Sequence, residues 1–243
     1  MALERTGMSG RISADGWPVL AVAGLITIVL TLLSVPLGAF ALGLLFWLAH
    51  LLRTPSRSTP DNPQQIIAPA DGTVLDIQPD HVPGDRQADD RDAAVRITIV
   101  TRLGDVQTQL SPISGHITEN LLLPGLFSAW GDTPASWRMA RDINERREIR
   151  IRDSAQREVT VVQIGTRTAR HLVCRFAEGK FVRAGDALGM ARIAGVTDVF
   201  APAASIVAVR VGQHVLAGET VLARFGKAKH AGNRAAVAEG GDA

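Results

Sequence analysis

The sequence predicts a mainly β protein, a hybrid β-sandwich or barrel domain, preceded by an N-terminal membrane helical hairpin. Three observations support this prediction. Residues 17–52 contain no Asp, Glu, Lys or Arg, short β-branched runs alternate with Gly, Pro and Asp from residue 66 onward, and an eight-residue motif recurs after 33 residues. A chain of 243 residues with 46% hydrophobic content can hold one sizeable domain and a membrane segment, and little more.

The charge-free run is too long for one straight membrane span. As a single helix, residues 17–52 would measure about 54 Å, whereas the hydrocarbon core of a bilayer is about 30 Å thick. Pro36 and Gly38 are predicted to break the run into two halves. This break favours a hairpin, with a single strongly tilted helix and a pair dipping into one leaflet as the alternatives.

Arginines flank both ends of the charge-free run. Arg5 and Arg11 precede it, and Arg53 and Arg57 follow it. A hairpin returns the chain to the side on which it entered, and flanking positive charge marks that side as cytoplasmic. We therefore expect a cytoplasmic tail at residues 1–16 and a cytoplasmic soluble domain at the cell inner membrane.

The rest of the chain divides into a linker, a β domain and a tail. Residues 53–65 contain three prolines between Pro55 and Pro63, which predicts an extended linker. Residues 66–226 carry the β-branched runs, including "GTVLDI", "AVRITIV", "REIRIR" and "REVTVVQIG", which predict the β domain. Residues 227–243 have no apolar pattern with which to join a core, and we expect them to be disordered.

Charge and cysteine content exclude some partners. A formal net charge of +2 is too weak to indicate nucleic acid, although it is compatible with an anionic membrane surface as well as with ordinary solubility. The single cysteine, Cys174, excludes an internal disulfide. No set of metal ligands is predicted.

The repeated motif sharpens the fold prediction. "GKFVRAGDALGMAR" from Gly179 and "GQHVLAGETVLAR" from Gly212 share the pattern G-x-x-V-x-A-G-[DE]. Each copy predicts a strand, a glycine turn and a returning strand. This construction resembles the biotinyl- and lipoyl-like hybrid β-sandwiches.

Several segments, in order, resemble one enzyme family. The apolar run ends in Arg53, Pro55 and Arg57, and "APADGTV" follows at residues 68–74. Further along come "SPISGHI", "NERR", "VVQIGTRTARHLVC", "AGDALGM" and "DVFAPA". In this order and spacing the chain resembles the short bacterial phosphatidylserine decarboxylases, including archaetidylserine-decarboxylase-like members.

This resemblance implies a self-cleaving proenzyme. In the family, a Ser hydroxyl that follows Gly attacks the preceding carbonyl, and elimination leaves a pyruvoyl group at the new chain terminus. The pyruvoyl ketone then binds the amine of phosphatidylserine and accepts electrons as carbon dioxide leaves. A His activates the Ser, and an Asp orients the His.

The family's three side chains do not all have counterparts in this sequence. Alignment through "PADGTV" places the Asp at Asp71, and alignment through "RITIVTRLGDVQTQLSPISG" places Gln107 at the His. Counting back from "DVFAP" places Gly195 at the processing Ser and Ala194 at the Gly before it. Gln cannot act as a base near neutral pH, and glycine has no hydroxyl. Asp71 alone is then best interpreted as a turn residue.

Three residues could provide the missing chemistry if the alignment is displaced. Thr197 is the nearest hydroxyl to the turn but follows a β-branched residue, Ser205 fits a turn or strand position, and His116 lies in a polar strand position. None of the three is favoured.

A group of arginines could contact phosphate or an anionic leaflet. An ordinary surface with salt bridges to Asp142, Glu145 and Glu148 is the alternative. The group consists of Arg138, Arg141, Arg146 and Arg147.

Two function classes follow from these observations. The first is a membrane-anchored, decarboxylase-like protein without catalytic activity that binds phospholipid or helps a membrane complex or homo-oligomer to assemble, with no cofactor. The second is an active pyruvoyl-dependent phosphatidylserine decarboxylase, a carboxy-lyase that makes phosphatidylethanolamine, with a displaced processing site. The replacements at positions 107 and 195 favour the first class.

Overall fold

The computed structural model describes residues 11–12, 17–54, 57–82, 93–102, 104–127, 134–167, 172–191 and 195–226. The predicted tail at 227–243, most of the tail at 1–16, Ala194 and the side chain of Arg138 lie outside the described parts. Within the described ranges the helices are α1 (Trp17–Leu33), α2 (Val35–Leu51) and α3 (Pro134–Ile143). The strands are β1 (Arg11–Ile12), β2 (Arg53–Thr54), β3 (Gln65–Ile67), β4 (Gly72–His81), β5 (Ala93–Thr101), β6 (Thr108–Leu110), β7 (Gly115–Leu123), β8 (Arg146–Arg152), β9 (Glu158–Ile164), β10 (Leu172–Cys174), β11 (Phe181–Val182), β12 (Ala187–Ala191), β13 (Gly195–Pro202), β14 (Ile206–Val207), β15 (His214–Val215) and β16 (Val221–Arg224).

The first two helices fold back on each other. Strand β1, before α1, pairs with β2, after α2, so the two ends of the helical pair meet. The chain reverses at Ser34, before the predicted break, and Pro36 lies in the first turn of α2. Proline is tolerated there because the first helical N–H groups have no partner within the helix. Close packing at the turn needs Gly38, since a Cβ at this position would collide with Thr31.

The helices are short for a membrane. No helix in the described part of the chain is both long enough and apolar enough to cross a bilayer. The predicted membrane-spanning hairpin therefore finds no support in these helix lengths, since each of the two apolar helices has 17 residues.

The remainder is mainly β, as predicted. An eight-stranded sheet has the order β11-β7-β8-β9-β13-β5-β4-β15 and curls into a half-barrel, and two further sheets, β10-β12-β6 and β14-β16-β3, each have three strands. All strand pairings within the eight-stranded sheet are antiparallel. Alternate residues along the central strands, such as Ile97, Ile99, Val199, Ile149 and Ile151, are fully buried in the main core. The likeness to lipoyl-like sandwiches stays a prediction.

The sheet has two ends, which we name after the termini of β13. At the Gly195 end, β13 begins opposite Thr101, the last residue of β5. At the Pro202 end, β13 finishes opposite Ala94, near the start of β5. The eight residues of β13 separate the two ends by about 23 Å at about 3.3 Å per residue.

The predicted linker is attached to the β domain where the structure describes it. Near its start, the Ser58 amide donates to Glu219 Oε1 at 3.4 Å. Near its end, Arg157 donates to Gln64 Oε1 at 2.6 Å and to the Pro63 carbonyl at 2.9 Å. Residues 57–64, which we call the strap, therefore pack along the domain as a fixed segment.

Candidate functional site

Asp71 and Gly195 lie together at the Gly195 end of the sheet. Gly195 is paired with Thr101 across β13 and β5. The Thr101 hydroxyl donates to the Asp71 carbonyl at 2.7 Å. Asp71 and Thr101 are both buried. The sheet therefore brings these two predicted positions to one place, although they lie far apart in the sequence.

Both carboxylate oxygens of Asp71 are occupied. Oδ1 accepts the Ala217 amide at 2.6 Å, and Oδ2 accepts the Arg57 guanidinium at 2.6 Å. Burial raises the pKa of Asp71 above its ordinary value of 3.8, and the Ala217 N–H and Arg57 offset only part of this shift. This carboxylate holds the strap and a turn of the second repeat in place.

Ser114 repeats the turn contact of Asp71 on the other half of the domain. The Ser114 Oγ accepts the Ala184 amide at 2.9 Å, in the first repeat, just as Asp71 accepts Ala217 in the second. The segments "APADGTV" and "SPISGHI" that carry Asp71 and Ser114 are thus related by an approximate two-fold symmetry. A serine without charge fills the same position, so capping the turn does not require a carboxylate.

Further backbone bonds extend this symmetry. The Leu110 amide donates to the Pro69 carbonyl at 2.8 Å, and the Ile67 amide donates to the Pro112 carbonyl at 3.0 Å. The sequence signal was the pattern P-x-[DS]-G, which occurs at Pro69 and again at Pro112. This pair was not identified as a repeat from the sequence.

Gln107 supports the turn that follows β5. Its Nε2 donates to the Asp105 carbonyl at 2.7 Å and to the Arg102 carbonyl at 3.1 Å. The Arg102 amide in turn donates to Asp105 Oδ2 at 2.7 Å. Gln107 is buried, and one amide nitrogen supplies both of these bonds. The side chain therefore has a structural role in this turn.

His214 was missed by sequence reasoning. Its Nε2 lies 3.4 Å from Asp105 Oδ1, and it is exposed opposite Thr73 at the start of β4. The signal was the second repeat itself, which has His where the first repeat has Phe181.

None of the three alternative residues lies in the turns beside Asp71 and Gly195. Thr197 is fully buried in the middle of β13, where its Oγ1 accepts from Gln109 Nε2 at 2.7 Å. Ser205 lies in the turn after β13, with its amide on the Pro202 carbonyl at 2.8 Å. His116 is exposed at the opposite, Pro202 end, where its ring meets Phe181 edge-on at 5.2 Å.

The three arginines of the predicted group whose side chains the structure describes, Arg141, Arg146 and Arg147, bind other groups of the protein. Arg141 Nε donates to Asp198 Oδ2 at 2.6 Å and fastens α3 to the sheet. Arg146 pairs with Glu148, as the salt-bridge alternative predicted, at 2.9 Å. Arg147 donates to Asn120 Oδ1 at 2.7 Å and to the Leu172 carbonyl at 3.2 Å. The partner Asp198 was not among the predicted carboxylates.

Comparison with known proteins identifies the family. The sequence model of phosphatidylserine decarboxylase matches residues 44–223. The chain belongs to the phosphatidylserine decarboxylase family. It is 33% identical over 214 residues to a phosphatidylserine decarboxylase proenzyme of Pelagibacter ubique, and this alignment covers 88% of the chain and 96% of the relative. The corresponding proenzymes of Burkholderia vietnamiensis and Nitratidesulfovibrio vulgaris are 30% and 31% identical to it. Each of these alignments covers 88% of this chain, and they cover 96% and 94% of the two relatives, respectively.

The family match spans the whole candidate site. Residues 44–223 include the last turns of the second apolar helix, the strap, Asp71, Gln107 and Gly195. The phosphatidylserine decarboxylase resemblance drawn from sequence motifs is thereby confirmed. The roles of the three individual residues stay predictions.

Proposed function

We propose that this chain is a phosphatidylserine decarboxylase family protein that neither processes itself nor decarboxylates, and that binds phospholipid or helps a membrane complex to assemble. The observation that carries the proposal is Gly195. It begins β13 beside Thr101 and Asp71, at the position predicted for the processing Ser, and it has no hydroxyl with which to attack a peptide carbonyl.

The contacts of two other residues support the same proposal. Gln107 has no basic nitrogen, and its amide is used to hold the turn after β5. The oxygens of Asp71 are bonded to Arg57 and Ala217. These contacts favour structural roles for both side chains.

The residues present do not fit a pyruvoyl group. That group forms from a serine at the new chain terminus, and the predicted position carries glycine. The described hydroxyl nearest in sequence, Thr197, lies within a regular strand and accepts from Gln109. We derive no reaction step through a pyruvoyl group in this chain.

Membrane attachment through the helical pair is the second part of the proposal. Large apolar side chains on both helices are well exposed, among them Leu32, Leu33, Val35 and Phe40. Such a surface is costly in water and suits hydrocarbon. Each helix of 17 residues measures about 25 Å, so the pair would enter the bilayer from one side and return to it. The flanking arginines favour the cytoplasmic face of the inner membrane.

Family membership favours the second candidate, an active decarboxylase. The relatives at 30–33% identity are named phosphatidylserine decarboxylase proenzymes. If this chain acts as they do, it makes phosphatidylethanolamine from phosphatidylserine, and its processing site is displaced from Gly195.

Intact-mass measurement separates the two candidates. The purified chain is expected to remain whole at 25.9 kDa, without a carbonyl that reacts with hydrazine. The relative from Pelagibacter ubique, prepared in the same way, serves as the control. Two fragments meeting near residue 195, with the downstream fragment reactive toward hydrazine, would establish the active enzyme instead.

Phospholipid binding needs a separate measurement. The uncleaved chain, in mild detergent, is expected to bind phosphatidylserine, read by native mass spectrometry. Absence of any bound phospholipid would leave the assembly role and remove the lipid-binding role.

A further inference from the structure

We infer that the Gly195 end of the β domain faces the phospholipid surface and that its exposed apolar side chains contact the headgroup region. This inference rests on the proposed attachment of the helical pair to a membrane. It adds which surface of the domain meets lipid, and it does not depend on catalytic activity.

The path of the chain sets the position of the helical pair. Strands β1 and β2 bring both ends of the pair together, so the chain leaves it at Thr54. Only residues 55 and 56 lie between Thr54 and Arg57, a span of at most about 11 Å. Arg57 is bonded to Asp71, at the Gly195 end of the sheet. The helical pair therefore emerges beside this end.

Contacts along the strap keep it there. Thr59 packs against Gly185 so closely that a Cβ at Gly185 would collide with it. The strap then runs to the Pro202 end, where Arg157, in the hairpin between β8 and β9, donates to Gln64 at 2.6 Å. A strap bonded at both ends of the sheet cannot carry the helical pair to the Pro202 end.

Exposed apolar side chains surround the Gly195 end. Leu126 is 64% exposed, and its amide is bonded to the last residue of α3 at 2.7 Å. Met139, on the same helix, is 60% exposed. Leu122 is exposed near the end of β7, and Leu216 is exposed beside Ala217, the partner of Asp71. Contact with the acyl boundary would remove this apolar surface from water.

The Pro202 end carries exposed apolar residues too, but it lies at the opposite end of the strap from the helical pair. Phe181 packs against His116, and Ile206 is 66% exposed in β14. Isolated apolar residues on a surface are ordinary. The exit of the chain decides between the two ends, and it lies at the Gly195 end.

Depth-dependent quenching tests this orientation with a matched pair of labels. Leu126→Cys and Ile206→Cys, each in the full chain with Cys174→Ser, place one fluorophore at equally exposed positions, 64% and 66%, near opposite ends of the sheet. The labelled proteins are reconstituted in vesicles of phosphatidylethanolamine and phosphatidylglycerol, with or without a lipid that carries a nitroxide on its headgroup. Flotation of the vesicles first establishes that each protein is bound.

We expect the label at residue 126 to be quenched several-fold more strongly than the label at residue 206. Equal quenching, the reverse order, or no quenching of either label in vesicle-bound protein overturns the inferred orientation and leaves membrane attachment intact. Failure of the unlabelled chain to float with vesicles overturns the membrane attachment itself, and the orientation with it.

Discussion

The Asp71 carboxylate offers the sharpest test of a structural role for a residue that the family would use in catalysis. In Asp71→Ala, the Ala217 amide and the Arg57 guanidinium both lose a partner at 2.6 Å. The Arg57 side chain is only 14% exposed, so its charge stays largely out of water, with the Glu219 carboxylate 4.0 Å away as a weaker partner. Removing one member of a buried ion pair costs about 3–5 kcal/mol, so we expect a loss of that size in the free energy of unfolding.

Asp71→Ser separates the two lost contacts. Ser114 shows that a serine at this turn accepts the facing amide, at 2.9 Å from Ala184. The serine variant should therefore keep the bond to Ala217 and be more stable than the alanine variant by about 1–3 kcal/mol, the cost of leaving a buried N–H group unpaired. Adding Arg57→Leu to Asp71→Ser should recover most of the remaining loss, because no buried charge is then orphaned.

Denaturant unfolding of the full chain in mild detergent measures all four proteins. Equal stability of Asp71→Ala and Asp71→Ser would show that the turn contact contributes nothing. A double variant no more stable than Asp71→Ser would refute the reasoning about the orphaned charge. An alanine variant within about 0.5 kcal/mol of the parent, the usual range for surface substitutions, would remove the structural role altogether.

Three further predictions concern pH, the strap and the lost chemistry. The native pKa of Asp71 is raised above 3.8, so the contribution of Asp71 to stability is largest below pH 3.8 and falls as pH rises through the native pKa. The stability difference between the parent and Asp71→Ser, measured by unfolding at several pH values, should therefore shrink as pH rises. Gly185→Ala should destabilise more than Gly179→Ala, since both have positive φ but only the first meets Thr59; equal losses in thermal unfolding would contradict the strap contact. Gly195→Ser with Gln107→His should restore slow, partial chain cleavage, detected by intact mass, whereas Gly195→Ser alone should not; identical behaviour of the two would contradict the predicted positions.

Local patterns in the sequence carried the β content and the helical pair. Period-two alternation in "AVRITIV" and "REIRIR" places the isoleucines of β5 and of β8 on one face of each strand, so it predicts strands without knowledge of the fold. The charge-free run likewise predicted apolar helices. Its break was placed at Pro36 and Gly38, but the chain reverses at Ser34, because proline begins a helix more easily than it interrupts one.

The order of the motifs predicted the family, but the identity of a single residue could not show what its side chain contacts. The sequence shows that position 107 is Gln and position 195 is Gly. It does not show that Gln107 holds two carbonyls of its own turn, since turns of equal length close in many ways. It also suggested Arg141 as a phosphate contact, whereas the fold buries that charge against Asp198.

By itself, the sequence determined what is written in neighbouring residues: strand periodicity, apolar content, the repeat from Gly179 and Gly212, and the absence of a hydroxyl at Gly195. Only the tertiary structure decided which distant groups meet. Asp71 finds one partner 14 residues earlier in the strap and another 146 residues later in the second repeat. Such pairings depend on how strands far apart in sequence assemble into one sheet, and the free energy of that assembly is distributed over the whole core, so no local pattern records it.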